Sequence, residues 1–361
     1  MIKPAPIRVL SVEDSAFFRK VLAEVLGHDG DINLVGCAND PYEARDRLMA
    51  SPVDVMTLDL DLPRMAGLTF LKLLMERKPM PVVVLSSLTP TGSPKAVEAL
   101  IAGASSVIEK PGNHQHRDVF GEKLIRAIKA AAAAPPKHPR TGALSRCLPP
   151  IETPASKFDP RQIIALGAST GGTHALEGIL RVLPANLPGI VVVQHIPAGF
   201  SASFAARLNH SCAMEVREAK DGDIVHTGLA LIAPGDQHME VHWVRDHYRV
   251  MLHSGPLVEH QRPSVNVLFK SLARCAGPHT VAVLLTGMGK DGADGMRLLH
   301  DLHAHTLAQD ADSSVVYGMA RKAVELHAVD SIVSLEKIAG EIVKALHQPN
   351  HVTTSTTHAK L

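Results

Sequence analysis

Five times in the first 130 residues a short apolar run gives way to a segment of helical period. That alternation restricts the fold more than any other feature of the chain. The runs Ile7–Val12, Asn33–Ala38, Val53–Leu58, Pro81–Leu85 and Ser106–Ile108 are close to continuously apolar. Strands covered on both faces have that pattern. Between the first two runs, Phe17, Phe18, Val21, Leu22, Val25 and Leu26 line one face of a helix. Further helices are expected over 41–49, 68–77, 94–102 and 119–134. Strict βα alternation predicts a doubly wound, parallel α/β sheet.

In such sheets the site lies beyond the carboxyl ends of the strands. Those ends carry Glu13, Asp14, Asp59, Ser86 and Lys110. Three carboxylates converging on one spot repel one another unless a hard divalent cation joins them, and Mg²⁺ suits oxygen ligands. The alternative is a set of solvated loop acids. Asp61, just past Asp59, is a backup ligand or a surface residue.

Prolines 135, 136, 139, 149, 150, 154 and 160 then interrupt any period, so residues 131–160 are read as a linker. Beyond it, Ile163–Leu166 reads as the end of a buried strand running into Gly167-Ala168-Ser169-Thr170-Gly171, a G-x-S-x-G turn. Such a turn lifts a nucleophilic serine above a sheet. A glycine-rich connection or a phosphate cradle fits the same letters. The buried run Gly189–Gln194 ends at His195, and Thr280–Leu285 leads to Asp291. Serine, imidazole and carboxylate at the ends of parallel strands share one sheet edge. There a histidine deprotonates the serine and an aspartate orients the histidine. Taken singly, His195 is also read as a loop histidine and Asp291 as a turn or helix-cap residue. The order Ser, His, Asp differs from that of the common α/β-hydrolases. Short strands, some forming hairpins, are expected over 216–252, and the tail 348–361 is expected to be disordered.

The first 130 residues resemble a response-regulator receiver domain. The motifs GASTGGT, QHIPAGF, APGDQH, RPSVNVLF and TGMGKDG resemble the catalytic domain of chemotaxis protein-glutamate methylesterases, over residues 161–347. Together they imply two doubly wound domains: a flavodoxin-like receiver with five parallel strands, and a Rossmann-like domain whose mostly parallel sheet carries an antiparallel hairpin region. By the resemblance, Asp59 accepts a phosphoryl group, Glu13, Asp14 and Asp59 bind Mg²⁺, and Ser86 and Lys110 sense the phosphoryl group. Ser169 becomes the nucleophile, His195 the base and Asp291 its orienter. Thr170 and Met288 line the site, with the Met288 N–H as an oxyanion donor. The implied substrates are glutamyl methyl esters and selected glutamines on the cytoplasmic helices of chemoreceptors. The implied phosphodonor is a chemotaxis histidine kinase, and the esterase half needs no cofactor. The pairing also implies that the unphosphorylated receiver covers the catalytic cleft. His174, Asn266 and Ala66 depart from the family pattern, each standing where an acid is expected.

Composition limits the alternatives. Net charge is +1, which argues against a nucleic-acid binder. No apolar run reaches membrane-spanning length and no leader pattern precedes the first strand, so a cytoplasmic protein without membrane insertion is expected. The scattered cysteines 37, 147, 212 and 275 suggest neither a disulfide framework nor a zinc knuckle. The histidine groups 300/303/305 and 238/242 lack the carboxylate or cysteine that would complete a metal site, and are read as surface residues. A phosphorylation-controlled adaptor without catalysis is the competing function. It leaves His195 and Asp291 without a task.

Overall fold

The computed structural model describes residues 5–86, 94–111, 117–133 and 158–348. Most of the linker and all of the tail beyond residue 348 lie outside the described residues. The first unit runs β1 (Ile7–Val12), α1 (Ala16–Gly27), β2 (Ile32–Ala38), α2 (Pro41–Ala50), β3 (Val55–Asp59), α3 (Gly67–Arg77), β4 (Val82–Ser86), α4 (Pro94–Ile101), β5 (Ser106–Glu109) and α5 (Arg117–Ala133). Its five strands are all parallel, in the order β2-β1-β3-β4-β5. Strands β3 and β4 are buried along their whole length, because helices cover both faces. Helix starts are set locally: the Ser15 hydroxyl accepts from Phe18 N–H, and Asp40 accepts from the amides of Tyr42 and Glu43. Ala66, at the start of α3, offers no side-chain cap where an acid would.

The second unit continues with β6 (Ile163–Ala168), α6 (Gly172–Leu180), β7 (Ile190–Gln194), α7 (Phe200–Ser211), β8 (Glu215–Glu218), β9 (Ile224–Val225), β10 (Leu229–Ile232), β11 (His238–Val244) and β12 (His247–His253). It ends with α8 (Val265–Cys275), β13 (Thr280–Leu284), α9 (Ala293–Asp301), β14 (His305–Gln309), α10 (Met319–Glu325), β15 (Ser331–Val333) and α11 (Leu335–His347). Its main sheet has the order β15-β14-β13-β6-β7-β10-β8, and every pairing in it is parallel. A second sheet, β11-β12-β9, is antiparallel.

Two local expectations change. The short strands β8 and β10 join the parallel sheet, so only β11 and β12 form a hairpin. The reason is burial: β10 (LALI) is covered on both faces, whereas β11 alternates and leaves Glu240 and His242 half-buried. Helix α6 starts at Gly172, immediately after the serine turn and ahead of the apolar-periodic residues that begin at Ala175. Glycines at its start carry no apolar side chain to mark the period.

From β6 the chain moves one way to β7, and β13 lies on the other side. The sheet therefore reverses winding beside β6, and the loops after β13, β6 and β7 open at that switch point. Helix α4 of the first unit packs against α6 and α7 of the second. Among the described residues no helix is long and apolar enough to cross a membrane.

Leu166 is fully buried in β6, between β13 and β7. Leu166→Ala is expected to destabilise the second unit by about 2–5 kcal/mol, read as an earlier urea transition of that unit.

Candidate active site

Ser169 leaves the end of β6, His195 the end of β7, and Asp291 the loop after β13. Ala168 and Gln194 are register partners, so Ser169 and His195 each follow the last rung between adjacent strands. The His195 N–H still donates to Ala168 O at 3.0 Å. On the other side, Ser169 N–H donates to Thr286 O at 3.0 Å. The loop after β13 also presses on the serine: a Cβ placed on Gly287 would lie 2.7 Å from Ser169 Cβ and 2.2 Å from Met319 Sδ. Only glycine permits that approach.

His195 and Asp291 meet directly, with Nε2 2.8 Å from Oδ2 and side chains only 6% and 2% exposed. The other ring nitrogen, Nδ1, is buried and has no hydrogen-bond partner. The Ser169 hydroxyl therefore stands beside the ring's strand without being hydrogen-bonded to it. Asp291 is the best-supported side chain of the site. Oδ1 accepts from Ser264 Oγ at 2.7 Å and from the amides of Asn266 and Gly292 at 3.0 Å. Oδ2 accepts from Val265 N–H at 2.7 Å as well as from His195. The carboxylate thus closes the amino end of α8, whose first amides and dipole favour negative charge. Burial by itself raises the Asp291 carboxyl. The hydrogen bond and charge of His195, with bonds from Ser264 and Asn266, override that and hold it below its ordinary value.

Thr170 is half-buried, and its carbonyl accepts from Thr286 Oγ1 at 2.9 Å. Met288 is 40% exposed, on a loop fixed where Gly287 O accepts from Gly318 and Met319. Sequence reasoning missed Thr286, Ser264 and Gln309. Gln309 Oε1 accepts from Thr286 N–H at 2.9 Å. Thr286 and Ser264 stand inside motifs already singled out, but a linear motif does not say which atoms they join. His174 is exposed on α6. Asn266 keeps an acceptor where an acid was expected, taking the Gly295 N–H on Oδ1 at 2.8 Å.

In the first unit, Glu13, Asp14 and Asp59 each bring a carboxylate oxygen to within 4.8 Å of the others. Lys110 Nζ lies 2.7 Å from both Glu13 and Asp59. Burial would lower the Lys110 ammonium, but Asp59 and Glu13 hold it above its ordinary value. Burial raises Glu13, and Lys110 offsets only part of that. Three carboxylates against one ammonium leave two negative charges, which a divalent cation matches. Ser86 is buried at the end of β4, and its carbonyl accepts from Lys110 N–H at 2.9 Å. Asp61 points away to an exposed pair with Lys95. The five expected residues therefore gather at one sheet edge, and Asp61 is a surface residue.

Receiver sheet, acidic pocket and a second doubly wound domain together define a response regulator with an α/β output domain. Residues 9–117 match the model of the response regulator receiver domain, and residues 164–342 match that of the CheB methylesterase. A protein-glutamate methylesterase/protein-glutamine glutaminase 2 from Syntrophus aciditrophicus is 45% identical, over 94% of this chain and 98% of that one. One of the same description from Pseudomonas aeruginosa is 46% identical, over 94% and 97%. The crystal structure of the Thermotoga maritima CheB methylesterase catalytic domain matches with a TM-score of 0.50 and 35% identity, covering 51% of this chain and 97% of that one. The chain belongs to the CheB methylesterase family.

The lowered Asp291 carboxyl carries a stability prediction with a definite sign. Its contribution is full above the ordinary value of 3.8 and is lost as pH falls through the lower folded value. Asp291→Asn should cost about 1–3 kcal/mol at neutral pH. Urea midpoints of variant and wild type should converge as the pH falls below 3.8.

Proposed function

We propose that the chain is a phosphorylation-regulated serine hydrolase that releases methanol from glutamyl methyl esters of chemoreceptors and deamidates selected receptor glutamines. One observation carries the reading: the buried, unpaired Nδ1 of a histidine whose Nε2 is committed to a carboxylate. Nε2–H donates to Asp291, so the neutral ring keeps its lone pair on Nδ1, and this is the atom that acts as base. Asp291 fixes that tautomer and stabilises the imidazolium once formed. Its other donors keep it ionised while it does so.

His195 Nδ1 takes the Ser169 proton as Oγ bonds to the substrate's γ-carbonyl carbon. The carbonyl oxygen becomes an oxyanion, with the Met288 N–H as its donor and Thr170 beside it. Such a donor is worth about 100- to 1,000-fold in rate. The tetrahedral centre then collapses, and Nδ1–H protonates methoxide, which leaves as methanol. Water, deprotonated by His195, hydrolyses the acyl-serine to the free glutamate. With a glutamine, ammonia leaves instead.

Regulation resides in the first domain. Glu13, Asp14 and Asp59 would hold Mg²⁺, which neutralises phosphoryl oxygens when bound. Asp59 accepts the phosphoryl group from a histidine kinase, and Lys110 and Ser86 respond to it. Phosphorylation adds roughly two negative charges, which draw Lys110 from its place between Glu13 and Asp59. The rearrangement loosens α4 from α6 and α7, the helices that follow the Ser169 and His195 segments. The reading places the protein in the cytoplasm, where receptor helices and kinase meet.

Ser169→Ala and His195→Ala should each reduce methanol release from methylated receptor membranes by at least roughly a thousandfold. Retention of near-wild-type release by either would refute the assignment. Asp59→Asn should keep the basal rate and abolish the rise on adding a small-molecule phosphodonor with Mg²⁺, measured by the same release assay.

A further inference from the structure

The side chain of Gln194 joins the two reacting segments, and no step above uses it. Its Nε2 donates to Ser169 O at 2.8 Å and to His195 O at 3.1 Å. It sits at the last rung between β6 and β7, opposite Ala168. Past that rung the strands part. Ser169 turns its N–H to Thr286, and its carbonyl takes Gly172 N–H at the start of α6. The ladder cannot continue across this fork, and the amide takes over with both of its N–H donors.

Gln194 is 3% exposed, and its Oε1 is buried without a partner. Flipping the amide would set Oε1 against two carbonyl oxygens, so the donor side must face the fork. Both N–H donors of the amide are thereby committed to the fork. Gly172 makes room for it: a Cβ there would lie 2.2 Å from Oε1 and 2.6 Å from Ala168 Cβ.

We propose that Gln194 is a positioning residue of the hydrolase, setting the separation between the segment that carries Ser169 Oγ and the one that carries His195 Nδ1. The inference rests on the assignment of Ser169 and His195 as the reacting pair. Both main-chain carbonyls are held by one planar group, which fixes the spacing of the two segments that carry the side chains. Misplacement of reacting groups by an ångström costs about 100-fold in rate, and the clamp acts on that scale.

The test uses the full chain and reads fluorophosphonate labelling of Ser169, methanol release, and thermal melting. Gln194→Met keeps the volume and removes both donors. Labelling rate and kcat should fall roughly 10- to 100-fold, with KM and melting close to wild type. Gln194→Glu makes the clamp depend on pH. The protonated acid retains one donor, and the carboxylate repels both carbonyls. Activity per folded molecule, read well below the melting temperature, should then fall with rising pH on a limb that the wild type lacks; melting of this variant falls over the same range because ionisation there costs stability. Wild-type rates and pH profile in either variant would overturn the proposal. So would activity and melting falling in parallel in Gln194→Met, since Gln194 would then only support the fold. Failure of the wild type itself to label at Ser169 would instead sink the underlying assignment, and it appears before any substitution is made.

Discussion

A single buried carboxylate holds the second domain's chemistry together. Asp291 takes hydrogen bonds from the His195 ring, the Ser264 hydroxyl and the amides of Val265, Asn266 and Gly292. Out of water such a charge is expensive, and nearly all of its lone-pair capacity has to be met. Meeting it fixes the start of α8, the loop after β13 and the tautomer of His195 at once. The same bonds that make the charge tolerable commit the imidazole Nε2 to the carboxylate and leave Nδ1 without a partner.

The receiver half solves a related problem by the opposite route. Glu13, Asp14 and Asp59 are held close with only Lys110 among them, so the pocket keeps an excess of negative charge. Asp291 is saturated with donors, whereas Asp59 shares the Lys110 ammonium with Glu13. Both carboxylates sit beyond the carboxyl ends of parallel strands. Dense amide donors favour a permanent anion in one case, and in the other the cluster of carboxylates suits a divalent cation.

Much of this was legible in the chain. Continuous apolar runs such as Val82–Leu85 and Ile190–Val193 marked strands covered on both faces, and their polar ends marked the two sites. Regular alternation in the first domain left little freedom in its topology. Legibility failed where the information is carried by pairing rather than by pattern. The strands β8 and β10 have the length of hairpin strands, and only their parallel pairing with each other and with β7 shows that they extend the main sheet. The partnership of Asp291 with α8 joins residues 27 apart to Ser264 and 96 apart to His195, and no local period encodes it. Asn266 shows the converse. It looked like a departure, yet its side-chain oxygen still serves Gly295, because an amide and a carboxylate present the same acceptor.

The order in which the site's parts occur along the chain has a consequence for synthesis. Ser169 and His195 leave the ribosome well before Asp291 does. Until the acid emerges, the imidazole has no fixed tautomer and α8 has no cap. A nascent or truncated polypeptide ending short of residue 291 therefore lacks the one carboxylate that orders the His195 ring and the start of α8 together.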